Sequence, residues 1–386
     1  MDFSLTLEHE KFQQRLHHFL QEELAPLVDE IESAHQFPMG FYKHLAANHL
    51  LAINFPKKYG GQEADCMTCA ILIEELSKFC AGVAGCVTTA GMTSPFLLLV
   101  AGTEEQKEKY LHGVATGETI AAFAITEPNA GSDVTKLLTH AVVEGNSYRI
   151  NGTKTFITNG SVANIFLIVA KTGEEEKRFS VFLIERGTPG LSVSKKFDKL
   201  GWSSQDTTEI SLDDVIVPKE NLVGPEGAGL SGAFSSINFT RILMAFTALG
   251  VAESALDHAL KYAKGKEQMG KPLHRQQGIR SELSKMAVEV EAARLLAYRA
   301  AWMYDKGLRN RKETAMAKLY ATEMAKRITK EVLRLHGLDG FTKRHQAAIF
   351  FADTPVFTIA DGTSEIQLEN IARELGLLQS GGMGSE

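Results

Sequence analysis

The chain has 386 residues, 44% of them hydrophobic and 23% charged, with a formal net charge of −6. That length holds two or three domains of ordinary globular composition. The acidic balance argues against a nucleic-acid partner, which needs a basic face, and no unbroken apolar run approaches about 18 residues, so no membrane span is expected.

The first ten residues are amphipathic and carry acids, without the basic start and apolar core of a secretory leader or the Arg-rich look of a transit peptide. They predict a cytoplasmic chain. From residue 5 to about 118 apolar positions recur at helical spacing, as in Phe12, Leu16, Phe19 and Leu20. Pro38, Pro56 with Gly60-Gly61, and Pro95 divide that run into separate helices. Cys66-Met-Thr-Cys69 has the spacing of half a zinc site, but Cys80 and Cys86 do not supply a second close pair. The four cysteines therefore predict small buried side chains in a reducing compartment.

The pattern changes near Ile120. Residues 120 to about 223 are rich in β-branched and aromatic residues with frequent turn signals. Asn151-Gly152 predicts a hairpin turn. Ile165–Ala170, Phe179–Ile184, Leu191–Val193, Ile210–Leu212 and Val215–Val217 predict further strands, with turns at 173–177 and 188–190. After Gly232 the helical period returns; Leu283, Met286, Val290, Ala293 and Ala297 line one helix face. The tail from Ser380 is Gly-rich and predicts frayed chain. The fold class is α+β: an N-terminal helical domain over residues 1–119, a central antiparallel β-barrel-like domain over 120–227 and a C-terminal four-helix bundle over 228–386.

Gly227-Ala-Gly-Leu-Ser-Gly232 fits the dinucleotide pattern G-x-G-x-x-G, but Glu253, the acid at the right distance, lies in a helical run rather than at a strand end. The segment predicts a turn into the bundle. The histidines are scattered without ligand spacing, and no metal site is predicted.

The informative segment is Ala122-Phe-Ala-Ile-Thr-Glu-Pro-Asn-Ala-Gly-Ser-Asp133, a strand running into a turn dense in hydroxyls and backbone donors. By itself it predicts either an ordinary capped turn or a cradle for a phosphate or a flavin edge. It resembles the T-E-P-x-A-G-S-D signature of the acyl-CoA dehydrogenase family. The resemblance continues through Tyr148-Arg-Ile-Asn-Gly-Thr-Lys-Thr-Phe-Ile-Thr-Asn159, Leu200-Gly201, Val215-Ile-Val-Pro218, Glu289-Val-Glu-Ala-Ala-Arg-Leu-Leu296, Asp361-Gly-Thr-Ser-Glu-Ile-Gln367 and Ala372-Arg-Glu-Leu375. It covers essentially the whole chain, in order.

The resemblance implies a FAD enzyme that dehydrogenates an acyl thioester between its α and β carbons. By carry-over, Phe123, Ile125, Thr126, Ser132, Phe156, Thr158, Lys266, Gln277, Arg334, Thr363 and Glu365 would hold the cofactor. Ser132, Asn238, Arg241 and Gly362 would contact substrate. The family's usual Glu before Gly-Thr is Asp361 here, and the alternative base position beside the arginine is Thr240. Asp361 is thus the implied base, with hydride passing from the β-carbon to flavin N5. The thioester carbonyl would accept from the residue 361 N–H and a flavin hydroxyl. A carboxylate at this point would otherwise serve as a helix cap. Ala360 stands where relatives carry a bulky aromatic, which points to a branched or alicyclic acyl group. The family's R-x-x-F-G reads Lys266-Glu-Gln-Met-Gly270 and its Q-x-x-G-G reads Arg334-Leu-His-Gly-Leu338, so a phosphate partner is expected from Arg334 on a nearby loop.

The implied partners are an acyl-CoA, an electron-transferring flavoprotein, and further copies of the chain, with a tetramer the usual form. Two other readings stay open: a carrier-protein-linked acyl or aminoacyl thioester dehydrogenase in a biosynthetic pathway, and a flavin oxidase or monooxygenase on the same fold.

Overall fold

Residues 4–173 and 178–377 are described by a computed structural model; the turn predicted at 173–177 and the Gly-rich tail fall largely outside them. The helices α1 (Leu7–Glu23), α2 (Val28–Ala34), α3 (Met39–Ala47), α4 (Cys66–Phe79), α5 (Ala81–Val87), α6 (Ser94–Ala101) and α7 (Glu104–Ala115) come first. The strands β1 (Ala121–Ala124), β2 (His140–Glu144), β3 (Ser147–Thr158), β4 (Ile165–Thr172), β5 (Phe179–Glu185), β6 (Leu191–Val193), β7 (Thr207–Pro218) and β8 (Leu222–Val223) follow. Then come α8 (Gly229–Gly265), the short pair β9 (Glu267–Gln268) and β10 (Lys271–Pro272), α9 (Gln277–Asp305), α10 (Arg311–Gly340), α11 (Gln346–Asp353) and α12 (Ser364–Glu374). The order of helices, sheet and helices matches the α+β expectation.

By internal contacts the chain forms two units that do not follow chain order. One comprises residues 21–65 and 82–240, the other residues 1–20, 66–81 and 241–386.

The first unit is built on the sheet β6-β7-β3-β2-β4-β5-β8, with β1 added on β4. The pairing is mixed, not wholly antiparallel: β1 and β2 both run parallel to β4, while the other neighbours are antiparallel. β4 and β5 are buried along almost their whole length, as their unbroken apolar runs require. Leu167, Val169, Val181 and Leu183 meet Leu97, Leu98, Leu111 and Val114 of α6 and α7 in one apolar cluster. α7 starts on a capping box: the Thr103 hydroxyl accepts from the Gln106 N–H, and the Gln106 side chain accepts from the Thr103 N–H. The Gln106 amide also donates to the carbonyls of Glu220 and Leu222, which ties the cap to the chain entering β8.

Two local predictions are corrected. Asn151-Gly152 is not a hairpin turn; both residues lie inside β3, where the register against β7 slips between Ile150 and Gly152. Gly152 is required there because a Cβ would come within 2.7 Å of the Thr139 Cα. The β2–β3 turn falls at Gly145-Asn146 instead. The separate strands predicted at 210–212 and 215–217 are one strand, β7.

In the second unit the predicted face of α9 is buried at Leu283, Met286, Val290, Ala293 and Ala297. Ala317, Ala321, Ala325, Ile328 and Val332 form the buried face of α10. Small residues on these faces let the helices approach closely. A buried ion network crosses the packing: Arg294 reaches Glu74 and Glu253, and Lys78 reaches Glu253 and Glu75. Glu253, the acid of the rejected dinucleotide pattern, is a member of this network. Cys66 and Cys69 are buried in α4, and Cys80 and Cys86 are buried too.

Two helical stretches, Ala81–Ala101 and Gly229–Gly265, are long and apolar enough to cross a bilayer by length and composition. Counting unbroken apolar runs misses them, because isolated polar residues interrupt both. Most of each apolar window is buried inside the protein, 78% and 83% respectively, as in core helices.

Candidate active site

The T-E-P motif occupies a detour from the sheet. β1 pairs with residues 165–168 of β4, and β2 pairs with Lys171 and Thr172 of the same strand. The chain leaves the sheet after Ala124 and rejoins it at His140, and residues 125–139 form the excursion between. A buried ion pair holds that excursion in place. The Glu127 carboxylate accepts from the Leu138 N–H at 2.6 Å, the Thr139 N–H at 2.9 Å and the Lys154 ammonium at 2.7 Å. The Lys154 ammonium also donates to the Ile125 carbonyl at 3.1 Å, and the Thr155 N–H donates to the Thr126 carbonyl at 2.9 Å. Burial works against the Glu127 charge, but Lys154 and the backbone donors outweigh it and hold the carboxyl below its usual range. Burial lowers the Lys154 ammonium to about 8 against the pull of Glu127. The T-E-P turn is therefore pinned to β3 two residues before Phe156.

Phe156 sits in a bulge of β3. The register against β7 slips between Lys154 and Ile157, and Phe156 takes φ 57°. Its ring is 66% exposed, with Phe197 against it at a centroid distance of 5.1 Å. A bulky residue in the left-handed region with its ring in the open is strained in backbone and unburied in side chain. Phe123, Ile125, Thr126 and Thr158 are half-buried around these elements, and Ser132 is exposed. The geometry brings Ile125, Thr126 and the Phe156 bulge together through Lys154 and Thr155.

The second candidate cluster belongs to the other unit. Asp361 and Gly362 both take left-handed backbone conformations, φ 56° and 91°, ahead of α12. The Arg241 Nε donates to the Asp361 carbonyl at 2.9 Å. Gln367 donates to the Asp361 and Gly362 carbonyls at 3.3 and 2.8 Å, and the Lys318 ammonium donates to the Gly362 carbonyl at 2.8 Å. A Cβ at residue 362 would meet the Gln367 amide at 2.9 Å and the Arg241 guanidinium at 3.0 Å, so glycine is needed for both shape and conformation. These bonds hold the main chain at 361–362 and use no Asp361 carboxylate oxygen. Nor does Asp361 cap the following helix; Thr363 does, accepting from the Ile366 N–H.

Burial raises the Asp361 carboxyl above the usual carboxylate value, and the positive charges of Lys318 and Arg241 offset only part of that. Burial also lowers Lys318 to about 8, with Asp361 pulling the other way. A carboxylate with a raised pKa, on a loop pinned through its carbonyls, has the properties of a general base. Thr240, at the alternative base position, spends its hydroxyl on the Ser236 carbonyl within α8.

The remaining predicted positions are spread along the helices. Asn238 is half-buried on α8, Lys266 is exposed just beyond that helix, Gln277 is exposed at the start of α9, and Glu365 is exposed in the first turn of α12. Arg334 is on α10 rather than on a loop, and its Nε donates to Glu331 at 2.6 Å. It is therefore an exposed helix residue and not a loop residue.

Lys318, Gln367 and Lys154 were not singled out by sequence reasoning. Lys318 left a trace: it falls among Thr314, Ala315, Ala317, Ala321 and Thr322 on the buried face of α10, where a charge needs a partner. Lys154 left a similar one, as a lysine on an inward-facing stretch of β3.

Three family models together span most of the chain: acyl-CoA dehydrogenase N-terminal domain over residues 6–118, middle domain over 122–215 and C-terminal domain over 227–376. The chain belongs to the acyl-CoA dehydrogenase family. It is 40% identical over 370 residues to a short-chain specific acyl-CoA dehydrogenase of Clostridium acetobutylicum, covering 95% of this chain and 97% of that one. It is 38% identical to an acryloyl-CoA reductase (NADH) of Anaerotignum propionicum, covering 97% of this chain and 96% of the relative. The solved butyryl-CoA dehydrogenase of Megasphaera elsdenii superposes with a TM-score of 0.93 at 35% identity, covering 97% of this chain and 100% of that one. As an acyl-CoA dehydrogenase family member the chain is an oxidoreductase.

Proposed function

We propose that the protein dehydrogenates an acyl thioester between its α and β carbons, with FAD as cofactor and Asp361 as the base. The observation that carries this reading is the Asp361–Gly362 loop: a carboxyl of raised pKa, held by its main chain and left out of the cap of α12.

The residues of the other unit fit a flavin. Phe156 presents an exposed ring at a strained bulge, which suits stacking on a planar heterocycle. Ile125 and Thr126 lie on the pinned turn beside it, where backbone groups can meet a polar ring edge. When bound, FAD supplies a two-electron acceptor for the β-hydrogen.

The chain's own residues account for the rest. Asp361 in its ionised form accepts the α-proton. The N–H of residue 361 would donate to the thioester oxygen and stabilise the enolate-like charge that grows there. Arg241 and Lys318 hold the loop and keep positive charge near that site, which favours the carboxylate and the developing oxyanion together. Asp is one methylene shorter than the family's usual Glu, and a misplacement of about 1 Å costs on the order of 10²-fold in rate. With the small Ala360 beside it, the pocket suits an acyl chain that is branched or alicyclic at the reacting carbons.

Electrons leave to an electron-transferring flavoprotein, and the working form is a homo-oligomer, a tetramer by family habit. The likeness to an acryloyl-CoA reductase supports one second reading, in which the same residues run the step in reverse and Asp361 delivers the α-proton. The test is anaerobic mixing of the FAD-loaded protein with saturated CoA thioesters and carrier-protein thioesters, straight and branched, followed by flavin absorbance. Bleaching by a saturated thioester supports the proposal. Bleaching by none of them, with reoxidation of reduced flavin by an enoyl thioester, supports the reverse direction. Rapid reoxidation by oxygen alone would mark an oxidase.

A further inference from the structure

Three histidine rings from separate elements of the helical unit converge on one another. His258 lies on α8, His336 on α10 next to the non-helical Gly337, and His345 at the N-cap of α11. Each offers one ring nitrogen, and these nitrogens lie within 4.8 Å of one another. The ring centroids are 4.7 Å apart for His258–His336, 5.0 Å for His336–His345 and 5.6 Å for His258–His345.

Stacking accounts for the faces of the central ring. His336 has His258 nearly parallel to it, at 21°, and Tyr262 at 4.0 Å. Stacking does not account for its edge. The His336 ring is 2% exposed, and its Nδ1 lies 2.8 Å from the Val332 carbonyl. A carbonyl only accepts, so Nδ1 carries the hydrogen and Nε2 carries a lone pair. That Nε2 is buried without a hydrogen-bond partner. An unmatched acceptor in the interior is costly unless something fills its lone pair.

We propose that His258, His336 and His345 form a binding site for a divalent first-row transition ion such as Zn²⁺ or Co²⁺. A backbone carbonyl that fixes the tautomer of a ligating imidazole is the usual outer support of such a ligand. Imidazole suits these ions, and three histidines leave a further coordination position for water. Tetrahedral arms of about 2.0–2.1 Å set ligand nitrogens about 3.4 Å apart, so the rings need to converge by no more than about 1.4 Å. The His345 Nδ1 accepts from the Ala347 N–H at 3.2 Å. To bind through Nε2, that ring exchanges its long cap bond for a metal bond. The ion would tie α8, the kink of α10 at Gly337 and the start of α11 to one point. Its role is structural, because none of the three histidines is among the groups assigned to thioester chemistry.

The experiment uses the purified, FAD-loaded full chain after removal of adventitious metal. Zn²⁺ is titrated by calorimetry, and Co²⁺ by its visible absorption, which reports coordination geometry. The expected result is one ion per chain at micromolar affinity or tighter, a tetrahedral Co²⁺ spectrum, and a rise in melting temperature with added Zn²⁺. His258→Gln should weaken binding at least 30-fold. His345→Asn, which retains a good helix cap, should do the same without loss of fold. Absence of one-to-one binding, or binding unchanged in both variants, overturns the proposal. The readout is metal stoichiometry, so it stands or falls apart from the desaturation reading.

Discussion

The Lys318 ammonium donates to the Gly362 carbonyl at 2.8 Å, so a fully buried lysine holds the main chain immediately after Asp361. The same cation acts through charge on the Asp361 carboxyl, which burial raises, so one side chain contributes to both the position and the pKa of the proposed base. Lys318→Met should therefore slow flavin reduction by roughly 10²-fold while FAD remains bound. Its pH–rate profile should also move upward, because the carboxyl loses a cation that favours ionisation. A merely structural lysine would lower stability and leave the profile where it was.

Asp361→Asn should cost about 10²–10⁴-fold in the rate of flavin reduction by thioester. Its effect on stability has the opposite sign. The folded carboxyl has a raised pKa, so folding favours the protonated form. That contribution is fully present below the unfolded pKa of about 3.9 and is lost as pH rises through the folded value. At neutral pH the buried charge is a burden. The Asn variant should melt higher than the wild type at pH 7, and the gap should close on acidification. Calorimetry at two pH values checks this.

Lys154 and Lys318 both have folded pKa values of about 8, lowered from 10.5. The unfolded chain then binds more protons than the folded one between roughly pH 8 and 10.5, so these groups make stability rise with pH across that window. Lys318→Met and Lys154→Met should each flatten the rise in denaturant midpoint between pH 7.5 and 9.5. Midpoints that follow the wild-type slope in both variants would refute the assignment.

Removing one member of the Glu127–Lys154 pair leaves the other charge buried alone. Lys154→Met should cost about 3–5 kcal/mol, and Lys154→Met with Glu127→Gln, which removes the charge but keeps an acceptor for the Leu138 and Thr139 N–H groups, should recover part of it. FAD affinity should not recover in the double variant if the pair also serves to fix the turn at Ile125 and Thr126. Unfolding curves and FAD titration separate the two effects.

Phe156→Ala should weaken FAD binding by roughly tenfold through loss of a stacking surface worth about 1 kcal/mol or more. Because the ring is largely exposed, stability of the FAD-free chain should change little. A variant that binds FAD normally would remove Phe156 from the flavin site.

Much of this architecture was legible in the residues. Strict helical spacing marked the buried face of α9, and the apolar runs of β4 and β5 marked strands, because burial on a regular element leaves a local signal. The T-E-P and Asp-Gly-Thr motifs were equally local, so the candidate positions could be named from the chain alone. Turn chemistry misled at Asn151-Gly152, where the close approach of Thr139, an interaction across strands, explains the glycine better than a hairpin does.

What tertiary structure alone decided is which distant groups meet. Glu127 with Lys154, Lys318 with Gly362, and His258 with His336 and His345 are separated by long stretches of sequence or lie on different elements, and no period or spacing links them. A buried charge or lone pair must find a partner wherever the fold brings one. The chain determined the elements and the chemistry available on them; the packing of those elements determined which carboxyl is raised, which lysine holds the loop and which imidazole is left with an empty edge.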